Sequence, residues 1–558
     1  MSSRSPLTEL PTHSVHNQVP PLENFNLYDA DPALGEALRR EGAAWAEEHV
    51  RAFGALLGSE RVMALGVAAN RFPPELRSFD RYGQRIDEVE YHPAYHELMR
   101  LAVEHGMPSL PWTEKRPGAH VAHTAMLYLL SQVEAGVCCP LTMTYAVVPA
   151  LRRQPEVAAE WEPKVVARVY DPRCVPASEK QGVTFGMAMT EKQGGSDVRT
   201  NTTRAVPLGA GGPGGEYELT GHKWFCSAPM SDAFLTLAQT ERGLSCFLVP
   251  RWRPDGTRNP FFVQRLKDKL GNKSNASSEI EYLGTWARMV GEEGRGVRTI
   301  IDMVHHTRND TVAAPASFMR QAVMQAVHHA KHRHAFGKRL VEQDLMRNVL
   351  ADLALEAEAA TALAMRISRG FDDAVNGGDE ARAFSRIATA VAKYWLNKRA
   401  PGHVVEALEC LGGAGYVEET IMPRLYREAP LNGIWEGSGN VICLDVLRAM
   451  GREPESLEAF LHEIDQARGG DRRLDAAAAK LRDELADHGD IELRARRVTE
   501  RMALVLQASL LVRHAQPAIA DAFCATRLDG EHGQAYGTLP RGTDLEALIA
   551  RADPLRGA

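Results

Sequence analysis

Apolar positions recur at helical spacing through residues 24–180. Leu34–Leu57 reads LGEALRREGAAWAEEHVRAFGALL, with Arg and Glu set between the apolar positions, and predicts one amphipathic helix. Val121–Leu151 is longer and more apolar, predicting a helical region buried on several sides and broken at Pro140. Near Val183 the period shortens. Tyr217–Lys223, Ala233–Thr240, Ser245–Pro250 and Glu279–Tyr282 predict short strands between turn residues. Gly209–Gly215 (GAGGPGG) lies between strand-like runs and no Lys-Ser/Thr follows it, so it predicts a hairpin loop rather than a phosphate loop. From Gly296 the helical period returns, with helices expected over Ala316–His334, Asp344–Arg369, Ala381–Lys398 and Val404–Leu411. The expected domains are a helical 1–182, a β domain 183–293, a helical bundle 294–450 and a helical extension 451–558.

Composition narrows the class. The 558 residues leave room for several domains, and 44% apolar with 25% charged residues excludes a disordered chain, a collagen-like fibre and a disulfide scaffold. A net charge of −7 argues against a wholly basic surface but leaves room for one basic patch. The eight cysteines form no C-x-x-C pair, and Cys138-Cys139 sits in an apolar stretch, where buried thiols are expected. His328, His329, His332 and His334 sit among Lys331, Arg333 and Lys338 without a carboxylate, so no metal site is expected. Met1 to Glu23 is polar, and no apolar run is long enough to span a bilayer, so the expectation is a cytoplasmic protein with no membrane partner.

Four stretches carry chemistry. Met189–Val198 (MTEKQGGSDV) places Gly194 and Gly195, which allow close backbone approach, between the hydroxyls of Thr190 and Ser196. Gly221–Ser227 (GHKWFCS) puts two aromatics beside a small hydroxyl, which suits a planar conjugated ligand. Arg333–Lys338 (RHAFGK) sets a guanidinium beside a Gly turn, suited to a pyrophosphate. Arg427–Asn440 (REAPLNGIWEGSGN) flanks a carboxylate with Trp435 and Gly437, and desolvation there would make Glu436 a better base near neutrality.

In order and spacing, the four resemble the acyl-CoA dehydrogenase superfamily of flavoproteins over about Gln18 to Met450, together with Lys269-Leu270-Gly271 and Leu411-Gly412-Gly413-x-Gly415. The wording MTEKQGGSDV, NTTRA, GHKWF, LKDKLGN, RLYRE and IWEGSGN is closest to the AidB-like branch, linked to the response to DNA alkylation, as is the segment past residue 450. The resemblance implies a mainly α fold with a middle β-barrel-like domain and a four-helix bundle, FAD as cofactor, acyl-CoA as substrate, and a homo-oligomer, usually a tetramer. By similarity, Met189, Thr190, Gly195, Ser196, Phe225, Cys226 and Ser227 border the flavin. Arg333, Phe336, Gly412 and Gly413 reach the cofactor of a neighbouring subunit, and Trp435, Ser438 and Asn440 belong to the loop that touches FAD. Glu436 aligns with the base that takes the α-proton while the β-hydrogen leaves as hydride. Isovaleryl-type enzymes keep their base at the position of Thr307, which is no acid here. Asp344 and Glu409 stand where the family often has Gln, a departure that bears on adenine-side and subunit contacts.

Two functions follow from the resemblance. One is α,β-dehydrogenation of a short or branched acyl-CoA with Glu436 as base. The other is a flavoprotein that shields or surveys duplex DNA, with vestigial dehydrogenase activity. Direct repair of alkylated bases ranks last, since no H-x-D iron motif is present. For DNA, Arg494, Arg497 and Arg501 share one helical face, and Arg472 and Arg473 follow Gly469-Gly470. Residues 451–558 nevertheless hold 15 Lys+Arg against 19 Asp+Glu, so the segment is not basic in total.

Overall fold

A computed structural model describes residues 6–375 and 378–555. The N-terminal region is helical, and its apolar centre is the pair α1 (Ala119–Ser131) and α2 (Cys138–Leu151). The break between them falls at residues 132–137, ahead of Pro140. Pro140 instead occupies the first turn of α2, where a missing N–H costs nothing. Leu34–Leu57 is likewise not one helix. Helices Pro32–Leu38 and Glu47–Leu57 are separated by a kink at Gly42 (φ +91°), where any Cβ would lie 2.5 Å from Arg369 Nη1. A hairpin, Glu75–Phe79 with Arg85–Glu90, also interrupts this helical region; the sequence pattern does not predict it.

Seven strands make the middle domain: β1 (Phe185–Ala188), β2 (Arg204–Pro207), β3 (Glu216–Ser227), β4 (Ala233–Thr240), β5 (Gly243–Pro250), β6 (Phe261–Leu266) and β7 (Ser277–Val290). β7 pairs with β3, β3 with β2, β2 with β4, β4 with β5, and β5 with β7 again, so the sheet closes on itself with β6 and β1 as outer additions. GAGGPGG is the connection between β2 and β3, which pair antiparallel.

Helix α3 (Gly296–His332) runs through Pro315, α4 spans Asp344–Val375, and α5 (Asp379–Cys410) runs through Pro401. The sequence reading starts the first of these only at Ala316 and splits the last in two. Pro315 leaves the carbonyl of Thr311 without its helical donor, and Asn397 Nδ2 from α5 supplies one at 3.0 Å, so the helix continues. α6 (Gly439–Arg452) packs on α5. The extension adds α7 (Pro454–Asp465), α8 (Arg472–Ala486) and α9 (Ile491–His514). It is fastened to the bundle by buried ion pairs. Glu463 joins Arg366 and Arg513 at 2.7 Å each, and Arg527 reaches Asp352 and Glu356. No single helix among the described residues is long and apolar enough to cross a membrane.

Candidate active site

Two of the four sequence motifs are locked together by an ion pair that their motif letters do not reveal. Glu191, of MTEKQGGSDV, and Lys223, of GHKWFCS, are both fully buried, with Lys223 Nζ 2.9 Å from Glu191 Oε1. The same carboxylate accepts from the backbone and hydroxyls of Thr202 and Thr203. Burial opposes its charge, but Lys223 and these donors hold it well below the usual carboxylate range. Burial in turn draws Lys223 down to about 8. The backbone of Trp224 donates to the Thr190 carbonyl at 2.8 Å, tying the turn to β3. Met189 and Thr190 therefore sit just past β1, beside the strand that carries Phe225, Cys226 and Ser227. Cys226 points into the barrel core, whereas Phe225 is 48% exposed with Lys267 Nζ 4.6 Å from its ring.

The cradle has room for a planar group. Gly194 (φ +131°) faces open space where a Cβ would point, and a Cβ on Gly195 would strike Thr190 Oγ1 at 2.3 Å, so this turn can only be made with glycine. Ser227 meets the Oγ of Ser277 at a long 3.4 Å and the thiol of Cys139, weak partners that its hydroxyl can exchange for a ligand. These residues fit a planar group such as a flavin, which Thr190, Phe225 and Ser227 would hold.

Glu436 sits on the loop before α6 in a left-handed backbone conformation (φ +57°) that a residue with a Cβ adopts at a cost. The loop is over-determined around it. Lys393 Nζ, from α5, donates to the carbonyls of Asn432, Trp435 and Gly437 at 3.0, 2.9 and 2.7 Å. Arg308 Nε donates to the carbonyl of Glu436 itself at 3.1 Å, and Arg308 Nη1 is anchored on Asp445 at 2.8 Å. Thr307 Oγ1 donates to Glu436 Oε2 at 2.8 Å. The position where isovaleryl-type enzymes are expected to keep their base thus contacts the Glu436 carboxylate. Burial raises the pKa of Glu436, against the pull of Thr307, Arg308 and Lys393, and burial lowers that of Lys393.

Cys139 connects the two halves. Its thiol is pushed up to about 11 by burial, with Lys269, Ser227 and Asn275 opposing, and it feels the charge of Glu436. It lies beside Ser227 and near Glu436. Lys269 stands alongside, donating to the carbonyl of Asn275 and to Ser277 Oγ (3.0 Å). Burial lowers Lys269 to about 8. Sequence reasoning missed Cys139, Lys393, Arg308 and Lys269 as site residues. Only the KLG motif around Lys269 gave a signal.

Other predicted residues lie elsewhere. Ser438 is the residue before α6, and Asn440 Oδ1 accepts from Arg496 of α9 at 2.8 Å, facing the extension. Arg333 closes the far end of α3 and donates to the carbonyl of Asn17. The 26 residues from Thr307 to Arg333 span about 39 Å of helix, so one chain does not bring Arg333 to the base. Phe336 stands at the tip of a two-strand turn, 98% exposed, and Gly412 and Gly413 face open space. Of the arginines considered for DNA, Arg497 and Arg501 both pair with Glu484 of α8. Arg494 pairs with Asp487 at 3.3 Å, and Arg473 with Asp471 and Asp521 at 2.7 and 2.8 Å. Arg472 is exposed at the start of α8.

Comparison with known proteins agrees with this architecture. The N-terminal domain of the adaptive response protein AidB matches residues 17–172. The middle domain of acyl-CoA dehydrogenases matches residues 186–284, and their C-terminal domain residues 294–451. The chain is 44% identical over 524 residues to AidB of Escherichia coli, assigned to the acyl-CoA dehydrogenases, covering 94% of this chain and 95% of that one. It is 32% identical over 479 residues to acyl-CoA dehydrogenase family member 11 of Caenorhabditis elegans, covering 82% and 76%. The solved structure of C. elegans ACDH-11 superposes with a TM-score of 0.83 at 28% identity, covering 98% of this chain and 95% of that one. Butyryl-CoA dehydrogenase of Megasphaera elsdenii shares the fold, with a TM-score of 0.59 at 20% identity over 75% of this chain and 98% of that one. The chain belongs to the AidB group of the acyl-CoA dehydrogenase family.

Proposed function

We propose that this protein is an FAD-dependent oxidoreductase that removes the α-proton and β-hydride from an acyl-CoA, with Glu436 as base. The observation that carries the reading is the half-buried carboxylate of Glu436, held in a strained conformation by Thr307, Arg308 and Lys393. FAD, the cofactor of this family, supplies the hydride acceptor when bound. Met189, Thr190, Gly195 and Ser196 would hold the ring from the turn, and Phe225 and Ser227 from β3. Glu436 accepts the α-proton and becomes a neutral carboxylic acid. The β-hydrogen leaves with its electron pair, and a carbon–carbon double bond remains. Thr307 orients the carboxylate, and Cys139 and Lys269 would flank the reacting carbons. The nematode relative ACDH-11 was solved in complex with C11-CoA, which supports an acyl-CoA as the substrate class.

The far position of Arg333 and Phe336 supports a homo-oligomer, a tetramer by family likeness, in which those residues complete a neighbouring cofactor site. The adaptive-response description of the N-terminal match supports a link to DNA alkylation. DNA contact through the α9 arginines, however, would compete with the ion pairs that fasten α9 to α8; Arg472 and Arg497 are the exposed cations of that set. Purified protein is expected to carry flavin absorbance, and Gly195→Val, which fills the cradle, to lose it. Protein that purifies colourless and ignores added FAD contradicts the proposal.

A further inference from the structure

Between the hairpin of residues 75–90, the helix Pro93–Glu104 and the loop from β3 to β4 lies a cavity of about 390 Å³. That is toward the lower end of the ~300–1,000 Å³ usual for small-molecule sites. The cavity is outside the flavin cradle but backs onto it: two of its wall residues, Ala228 and Pro140, directly follow Ser227 and Cys139 in the chain. Its inner wall is aromatic. Tyr91 and Tyr95 stack with ring centroids 4.2 Å apart, and Tyr170, also on the wall, has its hydroxyl 2.9 Å from His96 Nδ1.

The wall also carries unused hydroxyls. Ser231 is only 3% exposed, yet its Oγ has no hydrogen-bond partner among the described residues. The Tyr91 hydroxyl is buried too, makes no hydrogen bond of ordinary geometry, and has the side chain of Tyr95 as its polar neighbour. Buried hydroxyls are normally paired, because an orphan forfeits its hydration. On the wall of a cavity, such groups mark where a guest supplies the partner.

Charge narrows the guest. Each charged side chain at the mouth already has a counterion: Glu90 with Arg77 at 3.4 Å, Glu88 with Arg258, and Asp171 with Arg173 at 2.6 Å. Burial and the nearby Arg100 lower the pKa of His96, which leaves it neutral at pH 7. No charge is left over to hold an ion, and the phosphates of an acyl-CoA would meet the carboxylates of Glu88, Glu90 and Asp171. The guest that fits is uncharged, flat enough to lie on tyrosine rings, and carries an oxygen that accepts from Ser231 and Tyr91. We propose that this cavity binds a small uncharged oxygen-bearing ring of the quinone and hydroquinone class. The site is separate from the acyl-CoA site and stands independently of that reading.

The test is calorimetric titration of the flavin-loaded protein with duroquinone and with hydroquinone, which separate the oxidised from the reduced ring. Benzoate, which adds a charge, and toluene, which lacks an oxygen, are the controls. The expected result is one site per chain for at least one of the two oxygen-bearing rings, with benzoate and toluene at least tenfold weaker. Ser231→Ala and Tyr91→Phe should each weaken binding at least threefold and leave the melting temperature unchanged, since neither hydroxyl has a strong internal partner to lose. Absence of binding by both rings, which would leave water as the only guest, overturns the site. So does equal binding of benzoate or toluene, or an affinity unchanged in both variants.

Discussion

Glu436 combines three features that rarely meet by accident: a positive φ, a half-buried carboxyl and a hydroxyl donor at 2.8 Å. Strain of this kind persists only where neighbours over-determine it, and Lys393 does so by holding the carbonyls on either side. The pH consequence has a definite sign. A base works when deprotonated, and burial raises its pKa, so the acid limb of kcat/KM should lie above the ordinary glutamate range. Thr307 stabilises the charged form, so Thr307→Val should move that limb to still higher pH, read from a pH–rate profile with an unreactive-pH plateau for normalisation. An unmoved limb would mean that the hydroxyl does not act on the base. Lys393→Met should cost more than tenfold in kcat by freeing the loop, with FAD retention on β1 and β3 intact.

The element scale explains why the flavin turn and the β3 strand travel together. Glu191 and Lys223 form one buried pair, and removing one partner leaves the other charged and alone, at a cost of about 3–5 kcal/mol. Glu191→Gln should therefore lower the unfolding midpoint and release FAD together. A variant that keeps both would show that the pair is not what holds the turn. Gly271 tells a similar story for the KLG motif: a Cβ there would lie 2.3 Å from the Arg427 carbonyl, so the motif needs glycine for a backbone-to-backbone contact. The motif letters were legible in the sequence, and so were β3, β4 and the α4 pattern. The reasons for the letters were not, because Glu191 and Lys223 are 32 residues apart and meet only through the sheet. Helix ends were misread beside prolines, one helix being begun only after Pro315. Pro315 is carried because Asn397, on another helix, satisfies the freed carbonyl, and no local pattern announces that.

At the scale of the whole molecule, the extension is bound in rather than appended. Arg366 and Arg513 hold Glu463 down at about 2, overcoming the burial that would raise it. Its folded pKa is depressed, so the stability it contributes is present above the ordinary glutamate range and lost as pH falls toward 2. Glu463→Gln should flatten that part of the stability curve, measured by denaturant unfolding from just above the ordinary glutamate value (~4.3) down toward the depressed one. An acid limb unchanged by the substitution would locate it elsewhere. Arg494, Arg497 and Arg501 read as a cationic face from their spacing alone. Their acids lie on α8 and the loop after it, which a helical-wheel argument for α9 cannot see. The exposed Phe336 and the 39 Å between Thr307 and Arg333 make assembly a prediction at this scale: Phe336→Asp should lower the mass seen by sedimentation and weaken FAD binding in parallel. The central claim is the pairing of Glu436 with the flavin cradle across one acyl-CoA. It is tested most directly by mixing flavin-loaded protein with butyryl-CoA under anaerobic conditions and following flavin absorbance. The account predicts rapid bleaching in the unaltered protein and loss of at least a thousandfold in rate in Glu436→Gln, with FAD still bound; equal bleaching in the two proteins would contradict it.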